Sequence, residues 1–171
     1  MEKSVLAQKI LESCYLQGNF TLRSGITSKE YFDKYQVESS PQLLLEVANH
    51  LAPLIPKETQ ALAALEMGGI ALGVALSLKT NLACYFVRKK AKEYGTQKIC
   101  EGGDIKGKKL CIIEDVITTG GQVLKSAKQL RDQGAIIDCV LCLIHRGETL
   151  DPLLKEGLKV IPLFDKKDLK I

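Results

Sequence analysis

Two adjacent carboxylates, Glu114 and Asp115, follow an apolar run and directly precede the stretch Val116-Ile117-Thr118-Thr119-Gly120-Gly121-Gln122. Leu110 to Ile113 have the composition of a buried strand, and residues 121–133 have helical periodicity. Thr118 to Gln122 are therefore expected to join a strand to a helix N-terminus. Backbone N–H groups are unpaired there, and the helix dipole favours an anion. Gly120 and Gly121 let the backbone approach that anion, and the threonines add hydroxyl donors. The pattern reads as a phosphate cradle. It is not the nucleotide P-loop, since GxxxxGK[ST] does not occur. Acids repel phosphate but accept hydrogen bonds from sugar hydroxyls. The combination suits a ribose phosphate, with the acids on the 2′ and 3′ hydroxyls and the amides on the 5′-phosphate. A tight turn alone would leave the acid pair unexplained.

The elements that must position these residues alternate along the chain. A first helix is expected over 4–17 with Gly18 as its stop. Residues 19–37 are irregular or short-stranded, and Ser40-Pro41 opens a second helix that runs to about Leu54. Strands then follow at 61–66, 82–89, 109–115, 135–145 and 158–164, with helices at 69–78, 121–133 and 150–156. This order predicts an α/β fold, a parallel sheet flanked by helices, in one domain spanning 1–171. Ligands of such sheets bind beyond the carboxyl ends of the strands. Those ends read EMGG, RKKAK, EDVITTGGQ and HRGE, so they are expected to converge on one crevice.

Residues 88–109 hold eight Lys or Arg against three acids, a net +5, while the whole chain carries +4. The basic excess of the chain thus lies in one long connection. A connection of this length in a compact domain is usually functional. With glycines at Gly95, Gly102 and Gly103, it reads as a lid that brings cations to a departing anion and excludes water.

The rest of the composition narrows the function classes. The chain has 171 residues, 46% hydrophobic and 26% charged, with no Trp. Nothing here forms an aromatic platform for single-stranded nucleic acid, and no run reaches membrane-spanning length. The N-terminus is amphipathic and charged, unlike a signal peptide. A cytoplasmic location is expected, with neither nucleic acid nor membrane as partner. Cys139 and Cys142 have CxxC spacing, but on a strand they face opposite ways, so packed thiols are expected rather than a metal site. His50 and His145 are expected to be structural.

CIIEDVITTGGQ (111–122) resembles the PRPP-binding motif of type I phosphoribosyltransferases, PRPP being 5-phosphoribosyl 1-pyrophosphate. RKKAKEYG (88–95) resembles the Arg-Lys-x-x-Lys-x-His/Tyr-Gly signature of orotate phosphoribosyltransferases. NFTLRSGITSKEYFDKY (19–35) is similar to the N-terminal motif of that family, and LIHRGE (143–148) places Arg146 at its orotate-holding arginine. The resemblance implies a type I core with a small N-terminal hood, 1–38, and a flexible catalytic lid, 89–108. It implies transfer of phosphoribosyl from PRPP to orotate, with Mg²⁺ held mainly by PRPP and water and no dedicated protein ligands. PRPP contacts carry over to Arg23, Arg88, Lys89, Lys92, Tyr94, Glu114, Asp115, Thr118, Thr119, Gly120, Gly121 and Gln122. Lys92 and Asp115 are the implied catalytic pair, Asp115 by fixing the ribose and Lys92 by reaching into the neighbouring subunit of a homodimer. Orotate contacts carry over to Tyr31, Phe32, Thr118 and Arg146. The chain departs from the pattern at Tyr94, where many members have His, and at Gly68, where some have Lys. Two alternatives remain. A purine acceptor would leave Arg146 without a carboxylate to hold, and a PRPP-sensing nucleic-acid regulator would need a basic surface or an added domain.

Overall fold

The computed structural model describes residues 1–21, 25–91 and 98–169. Its centre is a six-stranded sheet in the order β5-β4-β3-β6-β7-β8. Here β3 is Ala61–Leu65, β4 Ala83–Val87, β5 Cys100–Glu101, β6 Lys109–Ile117, β7 Ile136–His145 and β8 Lys159–Asp165. All neighbours are parallel except the two-residue edge strand β5, which runs antiparallel to β4. A separate antiparallel hairpin, β1 (Tyr15–Thr21) with β2 (Thr27–Phe32), stands beside it. No helix among the described residues is long and apolar enough to cross a membrane.

Helices cover both faces, as two-sided burial of a parallel sheet requires. On one face pack α1 (Lys3–Cys14), α2 (Tyr35–Glu38), α3 (Pro41–Leu51) and α4 (Gly68–Thr80); on the other, α5 (Gly121–Asp132) and α6 (Asp151–Lys155). Strand alternation sorts the core. Cys111 and Ile113 join Leu6, Ile10, Val47 and Leu76, while Leu110 and Ile112 join Val123, Leu130 and Leu153. Cys139 and Cys142 fall into opposite clusters, as the strand spacing required, and all six cysteines are free thiols.

Three boundaries differ from the sequence reading. The first helix ends at Cys14, not at Gly18, because Cys14 is the last residue of its buried stripe with Leu6 and Ile10. Tyr15 to Thr21 then pair with β2, and Gly18 lies inside a strand at an irregularity between Gln17 and Phe20. The second helix stops at Leu51 and tightens into a 3₁₀ turn, Ala52–Leu54, around Pro53, which has no N–H to continue the α ladder. The third central strand does not stop with its acids at 115. It runs through Glu114 and Asp115 to Ile117, pairing Val116 with Ile144 and Ile117 with His145.

Candidate active site

The four parallel strands β4, β3, β6 and β7 are adjacent, so their carboxyl ends lie side by side. This brings together Arg88 and Lys89, Glu66 to Gly69, Glu114 to Gln122, and His145 to Gly147 at one edge of the sheet. The first turn of α4 presses against β6. A Cβ on Gly68 would stand 1.6 Å from Asp115 Oδ2, and one on Gly69 would stand 2.2 Å from the Ile113 carbonyl oxygen. Only glycine permits that approach.

Glu114 and Asp115 are both buried, because the ladder of β6 continues beyond them to Ile117. Asp115 Oδ1 accepts the Val116 N–H at 2.5 Å, and its Oδ2 is ion-paired with the Lys34 ammonium. Glu114 Oε1 accepts the Asp115 N–H at 3.0 Å. Glu38, one turn beyond Lys34 on α2, completes the cluster, and its Oε1 is buried without a hydrogen-bond partner among the described residues. Burial, then the bond and charge of Asp115, push the Glu114 carboxyl up to about 8. The same causes push Glu38 up to about 8. Burial alone would raise Asp115 as well, but hydrogen bonds from Glu114 and Lys34, and the Lys34 charge, hold it below the usual range. Asp115 is thus favoured as the carboxylate beside the Lys34 ammonium, and Glu114 and Glu38 are pushed toward their protonated forms.

The Thr118–Gln122 turn has the form expected of a cradle. Thr118, Thr119, Gly121 and Gln122 are exposed, while Gly120 is buried with φ 75°. A Cβ on Gly120 would meet Leu153 Cδ1 at 2.3 Å, whereas one on Gly121 would meet nothing nearer than Thr119 Oγ1 at 3.8 Å. The Gln122 amide turns back to Ser126 Oγ at 3.2 Å, so only its backbone faces the turn.

Arg146 leaves β7 with its N–H bonded to the Ile117 carbonyl at 2.8 Å, and its guanidinium lies 5.3 Å from the centre of the Phe32 ring. Glu148 pairs with Lys166, not with Arg146. Tyr31 does not join Phe32. Successive strand residues face opposite ways, and Tyr31 stacks on Phe20 at 5.4 Å. His145 Nδ1 lies 3.0 Å from Asp165 Oδ2, and His50 bonds the Met1 carbonyl oxygen at 2.9 Å.

The long basic connection divides in two. Arg88 N–H bonds the Ile99 carbonyl at 2.8 Å, Arg88 Nε reaches Glu101 at 3.3 Å, and Lys89 N–H bonds Glu66 at 2.5 Å. Residues 98–108 are anchored, with Ile99, Cys100 and Ile105 buried. Lys108 reaches the Tyr85 hydroxyl at 2.8 Å, and Lys109 pairs with Glu58 and Asp138 at the opposite, amino end of β6. The net charge counted over 88–109 therefore does not all gather at the strand ends, because the chain must cross the sheet's full height to start β6. Arg23, Lys92 and Tyr94 lie outside the described residues. Sequence reasoning missed Lys34, Glu38 and Glu66. The one signal available was a lysine placed directly after the aromatic pair and Asp33.

No family model matches the chain. It is 47% identical over 167 residues to an orotate phosphoribosyltransferase of Nocardioides sp., covering 97% of this chain and 93% of the relative. It is 37% identical over 171 residues to that of Methanocaldococcus jannaschii, covering 99% and 97%. The structure of the Aeropyrum pernix orotate phosphoribosyltransferase superposes with a TM-score of 0.83 at 26% identity, covering 96% of each chain. A Mycobacterium tuberculosis orotate phosphoribosyltransferase shares the fold at TM-score 0.88 and 22% identity, covering 99% of each chain. With its sheet order, its acid pair and glycine turn at the carboxyl edge, and these relatives along nearly its whole length, the chain belongs to the orotate phosphoribosyltransferase family.

Proposed function

We propose that the protein transfers the 5-phosphoribosyl group from PRPP to orotate. The bond from ribose C1 to pyrophosphate breaks, a bond from C1 to a ring nitrogen of orotate forms, and orotidine 5′-monophosphate and pyrophosphate leave. The observation that carries this reading is the Arg146 guanidinium set over the Phe32 ring at 5.3 Å, beside the Thr118–Gln122 turn. A planar cation next to an aromatic face suits a flat ring that bears a carboxylate, and orotate has both.

The turn takes the 5′-phosphate on its amides and threonine hydroxyls, and Asp115 accepts from the ribose hydroxyls. Arg88 and Lys89 face the pyrophosphate, with Lys92 and Tyr94 supplied by the lid tip and Arg23 by the hood. Mg²⁺ enters with PRPP. Burial and Asp115 push Glu114 toward its protonated form, and the Asp115 carboxylate is shared between Lys34 and the ribose hydroxyls, so the site's own acids fit an ion ligated by phosphate, hydroxyl and water oxygens rather than by a protein cage. When bound, the ion neutralises charge on the departing pyrophosphate. The working form is inferred to be a homodimer, supported by an exposed apolar stripe on α4, and six free thiols suit the reducing cytoplasm.

The test is orotate consumption followed by absorbance. Loss of orotate that requires both PRPP and Mg²⁺, with no turnover of uracil or hypoxanthine, is expected. Equal turnover of hypoxanthine would replace orotate as the acceptor.

A further inference from the structure

Lys34 lies within the 19–35 stretch, where the family resemblance implies no role for it, yet among the described residues it forms the ion pair of Asp115. Its backbone is fixed from three directions. Asp33 N–H bonds the Cys14 carbonyl at 2.7 Å, Asp33 Oδ1 accepts the Tyr35 N–H at 3.2 Å, and Asp33 Oδ2 accepts from Gln36 Nε2 at 2.9 Å. The ammonium is thus delivered from the end of the hairpin onto the end of β6. The groups facing Asp115 are Lys34 and Glu38 from α2 and its start and Glu114 on β6; Tyr35 faces Lys34, and Asp33 faces Glu38. Gly68 of α4 brings no charge. Glu114 in turn faces the buried Cys142 thiol of β7.

We propose that Lys34 is a positioning residue for PRPP, holding Asp115 as an oriented carboxylate for the ribose hydroxyls and cancelling the charge that Asp115 would otherwise present to a polyanionic substrate. The inference rests on the PRPP site described above and deepens it. One ammonium bond and one amide bond occupy part of the Asp115 lone-pair capacity and leave the rest for sugar hydroxyls. A protonated Asp115 would lose acceptor capacity, and burial beside two other acids would drive it to that state if the ammonium were absent. Lys34 acts through Asp115 and touches no reacting atom.

The experiment is calorimetric titration of PRPP with Mg²⁺ into the full chain between pH 5.5 and 9, for wild type, Lys34→Met, Lys34→Arg and Glu38→Gln. Lys34→Met is expected to weaken PRPP by about tenfold or more at pH 7 and to move the acid limb of binding up by about one pH unit or more, the shift an adjacent opposite charge imposes on a carboxyl. Lys34→Arg should restore both. At saturating PRPP, the orotate KM of Lys34→Met should stay close to wild type. Glu38→Gln should keep its PRPP affinity above pH 8, where ionisation of Glu38 weakens the wild type; it carries the test alone if Lys34→Met does not fold. A folded Lys34→Met with wild-type affinity and wild-type pH dependence overturns the proposal, as does a Glu38→Gln profile that matches wild type at every pH. Wild type that binds PRPP but consumes no orotate refutes the acceptor assignment and leaves the Lys34 result standing. Wild type that binds no PRPP overturns both.

Discussion

At the scale of single residues, the site separates acids that look alike in the sequence. Glu114 and Asp115 are neighbours of similar type, yet Asp115 keeps its charge and Glu114 keeps its proton. The difference lies in the Lys34 ammonium, which pairs with Asp115, whereas Glu114 bonds the side chain and the N–H of Asp115. Two like acids crowded in a buried site cannot both ionise cheaply, and the one with the cation wins. Arg146 makes the matching point for the acceptor. Its N–H is tied to β6 through the Ile117 carbonyl, and Glu148, the nearest sequence candidate to neutralise it, is taken by Lys166. The guanidinium therefore remains available to a carboxylate. Arg146→Ala should raise the orotate KM by about tenfold or more, since a hydrogen bond to a charged group is worth about 1.5–3 kcal/mol. PRPP affinity measured by calorimetry should stay near wild type. A normal orotate KM in this variant would remove Arg146 from the acceptor site.

At the scale of elements, two glycines of one turn carry separable duties. Gly120 takes a left-handed conformation against Leu153, so Gly120→Ala should destabilise the fold, read as a lower melting temperature. Gly121 faces open space, so Gly121→Val should melt near wild type and yet lose PRPP affinity as its branched side chain crowds the amides. A Gly121→Val protein with unchanged PRPP affinity would sink the cradle. The α2–β6 contact makes a further prediction. Glu38 and Glu114 have folded-state pKa values of about 8, above the model carboxyl value of 4.5, so the folded chain binds more protons than the unfolded chain between those limits. Stability should fall as pH rises across that window. Glu38→Gln should flatten the fall, raising the melting temperature at pH 9 by about 2–4 °C, the shift that 1 kcal/mol makes in a chain of this size. A steeper fall in the variant would contradict the burial argument. These elements were unequally legible beforehand. The alternation of apolar strands and amphipathic helices announced β3, β4, β6, β7, β8 and the Thr118–Gln122 turn, because period and glycine placement are local signals; the two-residue edge strand β5, inside the expected lid, was not announced. The β1–β2 hairpin was not legible, since Tyr15 to Thr21 become a strand only by pairing across the chain with Thr27 to Phe32. Lys34 and Glu38 were hidden for the same reason: their partner lies some eighty residues away in sequence.

At the scale of the whole molecule, the strand order sets both the site and the surface left over. Placing β3 and β6 at the centre gathers four chemical strand ends at one edge, while α4 is left with an outer side that no element among the described residues covers. Met67, Val74 and Leu78 recur at helical spacing there, Leu78 at 85% exposed, and Gly73 lies against Cys84, two residues from the exposed Phe86. An apolar stripe of this kind, with Leu78 among the most exposed of the large hydrophobic residues described, suits an interaction surface. A closed two-fold dimer would use it on both copies at once. Leu78→Lys should therefore shift the sedimentation mass from twice the chain mass toward the single chain with the far-ultraviolet spectrum unchanged; a variant still fully dimeric would place the interface elsewhere. The dimer matters to catalysis if Lys92 serves the neighbouring site. Lys92→Ala and Asp115→Asn subunits, each inactive alone, should then complement when mixed. Random exchange makes half the dimers hybrids, each with one intact site, so activity should return to about a quarter of wild type. If each lid closed on its own chain, every site in the hybrid would carry one of the two lesions. No activity would return despite exchange confirmed by mass, and the lid would belong to the subunit that bears it.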